Sequence, residues 1–307
     1  YEKNEYVGGL LTLGIPNYKL EKEVVERRVK RMQDEGVIFK TSVNVGVDVD
    51  PAELKKQNDA VVLCGGAEQP RDIPIPGREL KGVYFAMDYL AQQTRRLLGA
   101  KIDPKQEINA KGKRVVVLGG GDTGADCVGT ANRQGAVSVK QFELMPKPPV
   151  ERAGDNPWPH WAFIYRTATS HEEGCERDYS IATKAFTGEG GGLKKLHAVR
   201  LDWSEKDPAT GRPKMKEVAG SEFDVECDLV FLALGVLGPV KAGLLEKFGV
   251  ELDGRSNVKA DANKMTSVPG VFTAGDMTRG QSLVVWAINE GRAAAEGVHN
   301  YLVNKKK

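Results

Sequence analysis

Residues 114–127 read RVVVLGGGDTGADC, and Gly119, Gly121 and Gly124 satisfy the spacing G-x-G-x-x-G. The chain holds 35 glycines, so that spacing alone says little; its setting says more. An apolar run precedes it and a proline-free, helix-compatible run follows. There the first glycine permits a tight turn, the second lets backbone approach a pyrophosphate, and the third lets helix and strand pack closely. The helix start adds free N–H groups and the positive end of its dipole. Further on, in KQFELMP, Glu143 closes the next apolar stretch. A carboxylate at that place can bind both hydroxyls of an adenosine ribose and repels a 2′-phosphate. The expectation is a nicotinamide dinucleotide site that favours NADH over NADPH. Lys140, Lys147 and Arg152 are the cations that could meet a 2′-phosphate instead.

A second constellation, GVFTAGDMTRGQSLVVWAINEGRAAA, spans residues 270–295. An apolar strand runs into Gly275 and Asp276, a glycine turn follows, and a helix begins near Gln281. The Asp276 carboxylate can accept hydrogen bonds from polyol hydroxyls. Backbone N–H groups at Gln281, Ser282 and Leu283 can meet a phosphate or a polarised carbonyl. The same pattern also suits a carboxylate-capped helix with no ligand.

Nothing signals side-chain acid–base or metal chemistry. The four histidines, His160, His171, His197 and His299, are scattered, which fits surface or structural roles. Cys64, Cys127, Cys175 and Cys227 lie far apart with no C-x-x-C, so neither a zinc ribbon nor a local redox disulfide is indicated. Reduced thiols fit a cytoplasmic protein. No catalytic residue and no metal ligand is therefore nominated. The net charge of +2 singles out no nucleic-acid partner, and Lys305, Lys306 and Lys307 read as a solvated terminus. No run approaches the roughly 18 apolar residues of a membrane span.

A length of 307 residues implies two domains, since single cores stop growing before that size. Helical spacing covers 20–33, ended by Gly36, then 51–56, 84–98, 123–134 and 283–302. Strands are expected at 114–118, 137–144 and 228–235, and at 270–275. Another, 59–67, is expected to be buried on both faces, and residues 37–49 alternate as a strand does. Residues 193–203 and 214–218 should pair antiparallel around the turn at Asp207-Pro208. Residues 145–174, with five prolines in them, read as a long surface excursion, and Trp158 and Trp161 there fit ordinary packing better than an interface or lid. The polar segment 99–113 is a plausible domain boundary.

Together these stretches resemble the small (β) subunits of glutamate synthase, within the two-dinucleotide-domain flavin reductases. The matching segments span nearly the whole chain: YEKNEYVGGLLTLGIPNYKLEK, LCGGAEQPRDIPIPGREL, VVVLGGGDTGADCVGTANRQGA, KPPVERAGDNPWPHW, LVFLALGVLGP and GDMTRGQSLVVWAINEGRAA. A thioredoxin reductase is disfavoured by the missing C-x-x-C. The resemblance implies an α/β fold of two Rossmann-like dinucleotide-binding domains of the glutathione-reductase type. Residues 105–262 would form an NAD(P)H domain inserted in an FAD domain made of 1–104 and 263–307. That FAD domain would lack its first βα turn, as expected of an N-terminally truncated chain.

By the same resemblance, Glu2 and Lys3 would face FAD adenosine, and Gly9, Leu10 and Leu13 the flavin side. Val45 would contact adenine, and Gly65 and Gly66 would line the crossover loop. Gly275 and Asp276 would hold the ribityl–pyrophosphate region, with Gln281, Ser282, Leu283 and Val284 under the isoalloxazine. Gly119, Gly121, Asp122, Thr123, Gly124 and Glu143 would bind the nicotinamide nucleotide, flanked by Gly235. The implied reaction is hydride transfer from NAD(P)H to FAD. Electrons would then pass through iron–sulfur clusters, in a missing N-terminal part or a partner, to a large (α) subunit that makes glutamate from glutamine and 2-oxoglutarate. Two rivals stay open: a non-catalytic NAD(P)H-binding module, and a flavin oxidoreductase with another acceptor, such as a dihydropyrimidine dehydrogenase-like reductase.

Overall fold

The computed structural model describes residues 1–160 and 162–305; Trp161, Lys306 and Lys307 lie outside them. The chain divides into two compact units. One comprises Leu13–Glu21 and Asp72–Gly235; the other comprises Tyr1–Thr12, Lys22–Arg71 and the chain from Val236 onward.

The unit built mainly on Asp72–Gly235 is organised by a five-stranded parallel sheet. Its order is Val83–Phe85, Leu229–Leu232, Arg114–Leu118, Ser138–Glu143, Glu176–Tyr179. Side-chain alternation divides the central strands between two cores. Val116, Leu118, Val230 and Leu232 join Phe142, Phe186 and Leu196 in one cluster. Val115, Val117, Leu229 and Phe231 join Tyr89, Cys127 and Val128 in the other. The second cluster is supplied by the helices Ala86–Leu97 and Asp122–Gln134, where the Tyr89 ring stacks on Phe231 with centroids 3.9 Å apart. The first is supplied by an antiparallel sheet in which Gly192–Asp202 lies between Ile181–Glu189 and Phe223–Glu226. The expected pairing around Asp207 is present at the end of the long strand, Leu201 opposite Glu217. Its main partner, Ile181–Glu189, was not expected, although the positive φ of Gly190 and Gly191 marks a hairpin turn between them.

In the other unit, Val61–Leu63 pairs parallel with Val271–Thr273. Leu54, Val61, Leu63, Leu245, Phe248, Val258 and Met277 pack together around this pair. The helix Pro51–Gln57 starts where Asp50 accepts a hydrogen bond from the Ala52 N–H at 3.0 Å. The long helix Val284–Lys305 buries Glu290, Ala294 and Gly297, one stripe at helical spacing.

Two local expectations are corrected. Val62 is 43% exposed, so the short strand is covered on one face only. Residues 37–49 form no strand; Val37 and Ile38 are exposed, and the pairing made by 40–43 runs through single backbone hydrogen bonds with Glu2 and Asn4. Alternation there reflects valine content and not a buried face. The unit limits fall at 71/72 and 235/236, against expected ones at 104/105 and 262/263. Val83–Phe85 and the helix after it are tied to Leu229–Leu232, so the 99–113 connector sits inside its unit. Leu245, Phe248 and Val258 are packed with Val61, which draws residues 236–262 to the other unit.

Candidate functional site

At the carboxyl end of Arg114–Leu118 the chain turns through Gly119, Gly120 and Gly121 into the helix Asp122–Gln134. Gly119 has φ +114, and a Cβ on it would collide with the carbonyl of Ala233 on the neighbouring strand exit. Only glycine meets both demands. A Cβ on Gly124 would collide with the carbonyl of Gly119 and lie 2.7 Å from Gln141 Nε2, so the third glycine serves close packing. At Gly121 a Cβ would meet nothing within 4 Å. Gly121 is the helix N-cap, and no side chain caps that helix start. The open space beside Gly121, at a helix start with orphan N–H groups, is a cradle that a phosphate fits. Asp122 and Thr123 form the first turn of the helix.

Glu143 closes the adjacent strand. Its Oε2 accepts a hydrogen bond from the Gly120 N–H, and its Oε1 lies 3.4 Å from the Met145 N–H. The carboxylate therefore stands at the turn, as its position in sequence implied. Lys140 is paired with Glu176 at 2.7 Å, and Arg152 reaches the carbonyls of Asn156 and His160 at 2.9 Å. Gly235, with φ +83, follows Leu229–Leu232 two residues beyond Ala233.

Two residues not nominated from sequence back this turn. Gln141, 3% exposed, donates from Nε2 to the Gly119 carbonyl at 2.8 Å. His171 Nε2 lies 2.8 Å from Gln141 Oε1, while His171 Nδ1 accepts from the Ala168 N–H at 3.1 Å. The other partnered histidine, His197, bridges Thr187 and Asp224 on an open sheet face, a cross-strand ladder.

Burial, with Arg177 and Lys19 nearby, pushes the His171 pKa down to about 4. An unfolded imidazole protonates near its ordinary value of about 6.5, so the unfolded chain takes up this proton first as pH falls. The His171 contribution to stability is therefore full above pH ~6.5, declines as the pH drops toward about 4, and is level below that. Urea midpoints measured from pH 7 down to pH 4 should fall more steeply for the parent than for His171→Gln, which has no proton to gain.

In the other unit, the strand Val271–Thr273 leads to Gly275, whose N–H donates to Glu290 Oε2 at 3.0 Å. Glu290 Oε1 also lies 3.2 Å from Lys264 and 3.5 Å from Arg279. The Asp276 carboxyl is raised above its ordinary range by burial, against which Ser282 Oγ donates to it at 3.2 Å. Gln281 accepts from the Val236 N–H at 3.2 Å, and Leu283 and Val284 are exposed. The short helix Asp276–Arg279 was not expected. Gly65 is seated against Met277, while Gly9 and Gly66, both at positive φ, face open space. Glu2 accepts from the Asn4 backbone and side-chain amides at 2.8 and 2.9 Å, and Lys3 pairs with Glu68. Leu10 is exposed and Val45 packs at the edge of the Val61 core. Leu13 is buried and belongs to the unit that carries the Gly119 turn.

Among the described residues no cluster of His, Cys, Asp and Glu could hold a metal ion, and no helix is long and apolar enough to cross a membrane. Residues 2–291 match the family described as pyridine nucleotide-disulphide oxidoreductase. The chain is 49% identical to the glutamate synthase [NADPH] small chain of Mycobacterium tuberculosis, over 99% of this chain and 61% of that one. It is 48% identical to the glutamate synthase [NADH] of Schizosaccharomyces pombe, over 97% of this chain and 14% of that one. The chain thus spans less than two thirds of these relatives. Their names divide between NADPH and NADH, so the likeness does not support the NADH preference expected from Glu143. Among solved structures, the NADPH complex of FprA from Mycobacterium tuberculosis superposes with a TM-score of 0.73 at 16% identity, covering 99% of this chain and 77% of that one. That likeness concerns the fold, two Rossmann-like domains. The chain belongs to the pyridine nucleotide-disulphide oxidoreductase family, and within it is a homologue of the glutamate synthase small chains.

Proposed function

We propose that this chain passes a hydride from NAD(P)H to FAD as the electron-input part of a glutamate synthase. The observation that carries the reading is the Gly119–Gly124 turn: a glycine whose Cβ position is empty, an uncapped helix start, and a carboxylate closing the next strand. In the unit holding Tyr1–Thr12 and Lys22–Arg71, Asp276, Gly275 and the glycines with open space, Gly9 and Gly66, suit the ribityl and phosphate chain of FAD. When bound, nicotinamide and flavin supply the hydride chemistry themselves. The chain's residues bind and orient: helix N–H groups meet the pyrophosphate, Glu143 meets a ribose, and Asp276 meets the ribityl chain. No side-chain acid or base is needed for that step. Clusters of iron and sulfur, and a large subunit receiving the electrons, complete the proposal as partners.

The test is optical. Protein supplied with FAD should be yellow and bleach anaerobically on addition of NADPH or NADH. A colourless protein that still binds the dinucleotide would make the chain a nucleotide-binding module and end the flavin reading. Retention of an authentic glutamate synthase large subunit on the immobilised chain tests the partner.

Nicotinamide preference is assigned to Glu143. Replacing it with alanine removes a charged acceptor for ribose hydroxyls and the repulsion of a 2′-phosphate. Hydrogen bonds to charged groups contribute about 1.5–3 kcal/mol, so Glu143→Ala should lower the NADH/NADPH affinity ratio by roughly 10-fold or more. Fluorescence titration with each dinucleotide gives the ratio, and an unchanged value would remove Glu143 from this role.

A further inference from the structure

The Gly119 carbonyl and the Gly120 N–H belong to one peptide group. Its oxygen is held by Gln141 and its N–H by Glu143. These two side chains stand two residues apart on the strand Ser138–Glu143, and so on one face of it. One strand therefore grips both ends of the peptide that opens the turn. The donors and acceptors behind Gln141 are fixed by a single obligatory donor. The Ala168 N–H can only donate, so His171 Nδ1 accepts and the imidazole proton resides on Nε2. Nε2–H then donates to Gln141 Oε1, which leaves the Gln141 amide NH₂ to face Gly119.

That grip matters because the peptide lies between two glycines, where rotation meets little steric resistance. A flipped peptide would point a carbonyl oxygen at the Glu143 carboxylate, on the side from which the ribose must approach. Glu143 can leave the Gly120 N–H when a ribose offers it two hydroxyls. Gln141 cannot leave: it is buried, and a buried amide without partners is costly. Resting on the dinucleotide reading above, we propose that Gln141, locked by His171, is the positioning residue that holds the Gly119–Gly120 peptide in its binding orientation once Glu143 has turned to the ribose.

Calorimetric titration of the 307-residue chain with NADPH and with NADH tests this. Gln141→Met keeps the size and removes the amide, and His171→Ala removes the lock. Each should raise Kd about 10-fold, the scale of one hydrogen bond, with the stoichiometry of the parent. His171→Gln presents an amide N–H in place of Nε2–H and should restore Kd to within about 2-fold of the parent on the same scale. The double variant Gln141→Met/His171→Ala should bind no more weakly than Gln141→Met alone. Variants that lose thermal stability and stoichiometry but keep the parent Kd would show mere structural support and overturn the proposal. Should Gln141→Met fail to fold, the two His171 variants decide alone. Unchanged Kd in variants, with a parent that binds, overturns this proposal and spares the dinucleotide reading. A parent that binds neither dinucleotide overturns both.

Discussion

Gly121→Ala is expected to fold as the parent does and to lose the dinucleotide. Gly121 has φ −79 and ψ −176, extended backbone open to alanine, and its Cβ would meet no protein atom within 4 Å. Alanine is a poorer N-cap than glycine, by some tenths of a kcal/mol to about 1. It also restricts the unfolded chain, which returns about 0.4–1 kcal/mol. The two effects oppose, so the thermal midpoint should move little. The added methyl stands where a pyrophosphate would lie, and affinity for NADPH and NADH should fall about 100-fold or more, roughly 2.7 kcal/mol. Gly124→Ala is the counterpart. Its Cβ would drive into the Gly119 carbonyl and the Gln141 amide, so stability falls together with binding. Calorimetric Kd beside the thermal midpoint separates the two. A Gly121→Ala protein that binds as tightly as the parent would show that no phosphate sits on this turn.

Glu290→Ala should strongly destabilise its unit. The side chain is 8% exposed and serves the Gly275 N–H, Lys264 and Arg279 at once. Removing it strands a buried N–H and leaves two cations without their shared carboxylate. Breaking such a buried arrangement costs about 3–5 kcal/mol. The partial exposure of Arg279 places the effect near the lower end. Glu290→Gln keeps an acceptor for Gly275 and should lose less. Urea unfolding followed by hydrogen exchange of individual amides would assign the loss to the unit holding Val61 and Val271. A loss under about 1 kcal/mol would mean that solvent replaces the carboxylate.

The strand, glycine turn and helix at 114–134 were legible because their requirements are local. Three glycines, the strand before them and the helix after them all lie within residues 114–134, and Glu143 follows one strand later. Gln141 and His171 escaped because their meeting depends on where the chain returns after a long irregular excursion, which no period in the sequence encodes. Glu290 sits in an apolar helix with Ala294 and Gly297 on the same stripe. A carboxylate on a stripe otherwise of small residues is a hint of a buried partner, but nothing nearby names Lys264 or Gly275. Residues 37–49 misled for the opposite reason. Their alternation is real, and among the described residues no strand lies beside them to bury it.

The interleaving of the two units has a consequence for synthesis. Residues 72–235 emerge from the ribosome as one nearly continuous block, so their parallel sheet can close early. The strand Val61–Leu63 leaves the exit tunnel long before Val271–Thr273, its only paired strand among the described residues, and before the helix bearing Glu290. Until Val271–Thr273 has emerged, Val61–Leu63 carries an edge without its paired strand, the condition under which nascent chains recruit chaperones or aggregate. Ribosome-stalled chains halted before residue 271 should accordingly protect the Gly119 unit from protease while leaving Val61 and its neighbours open to cleavage.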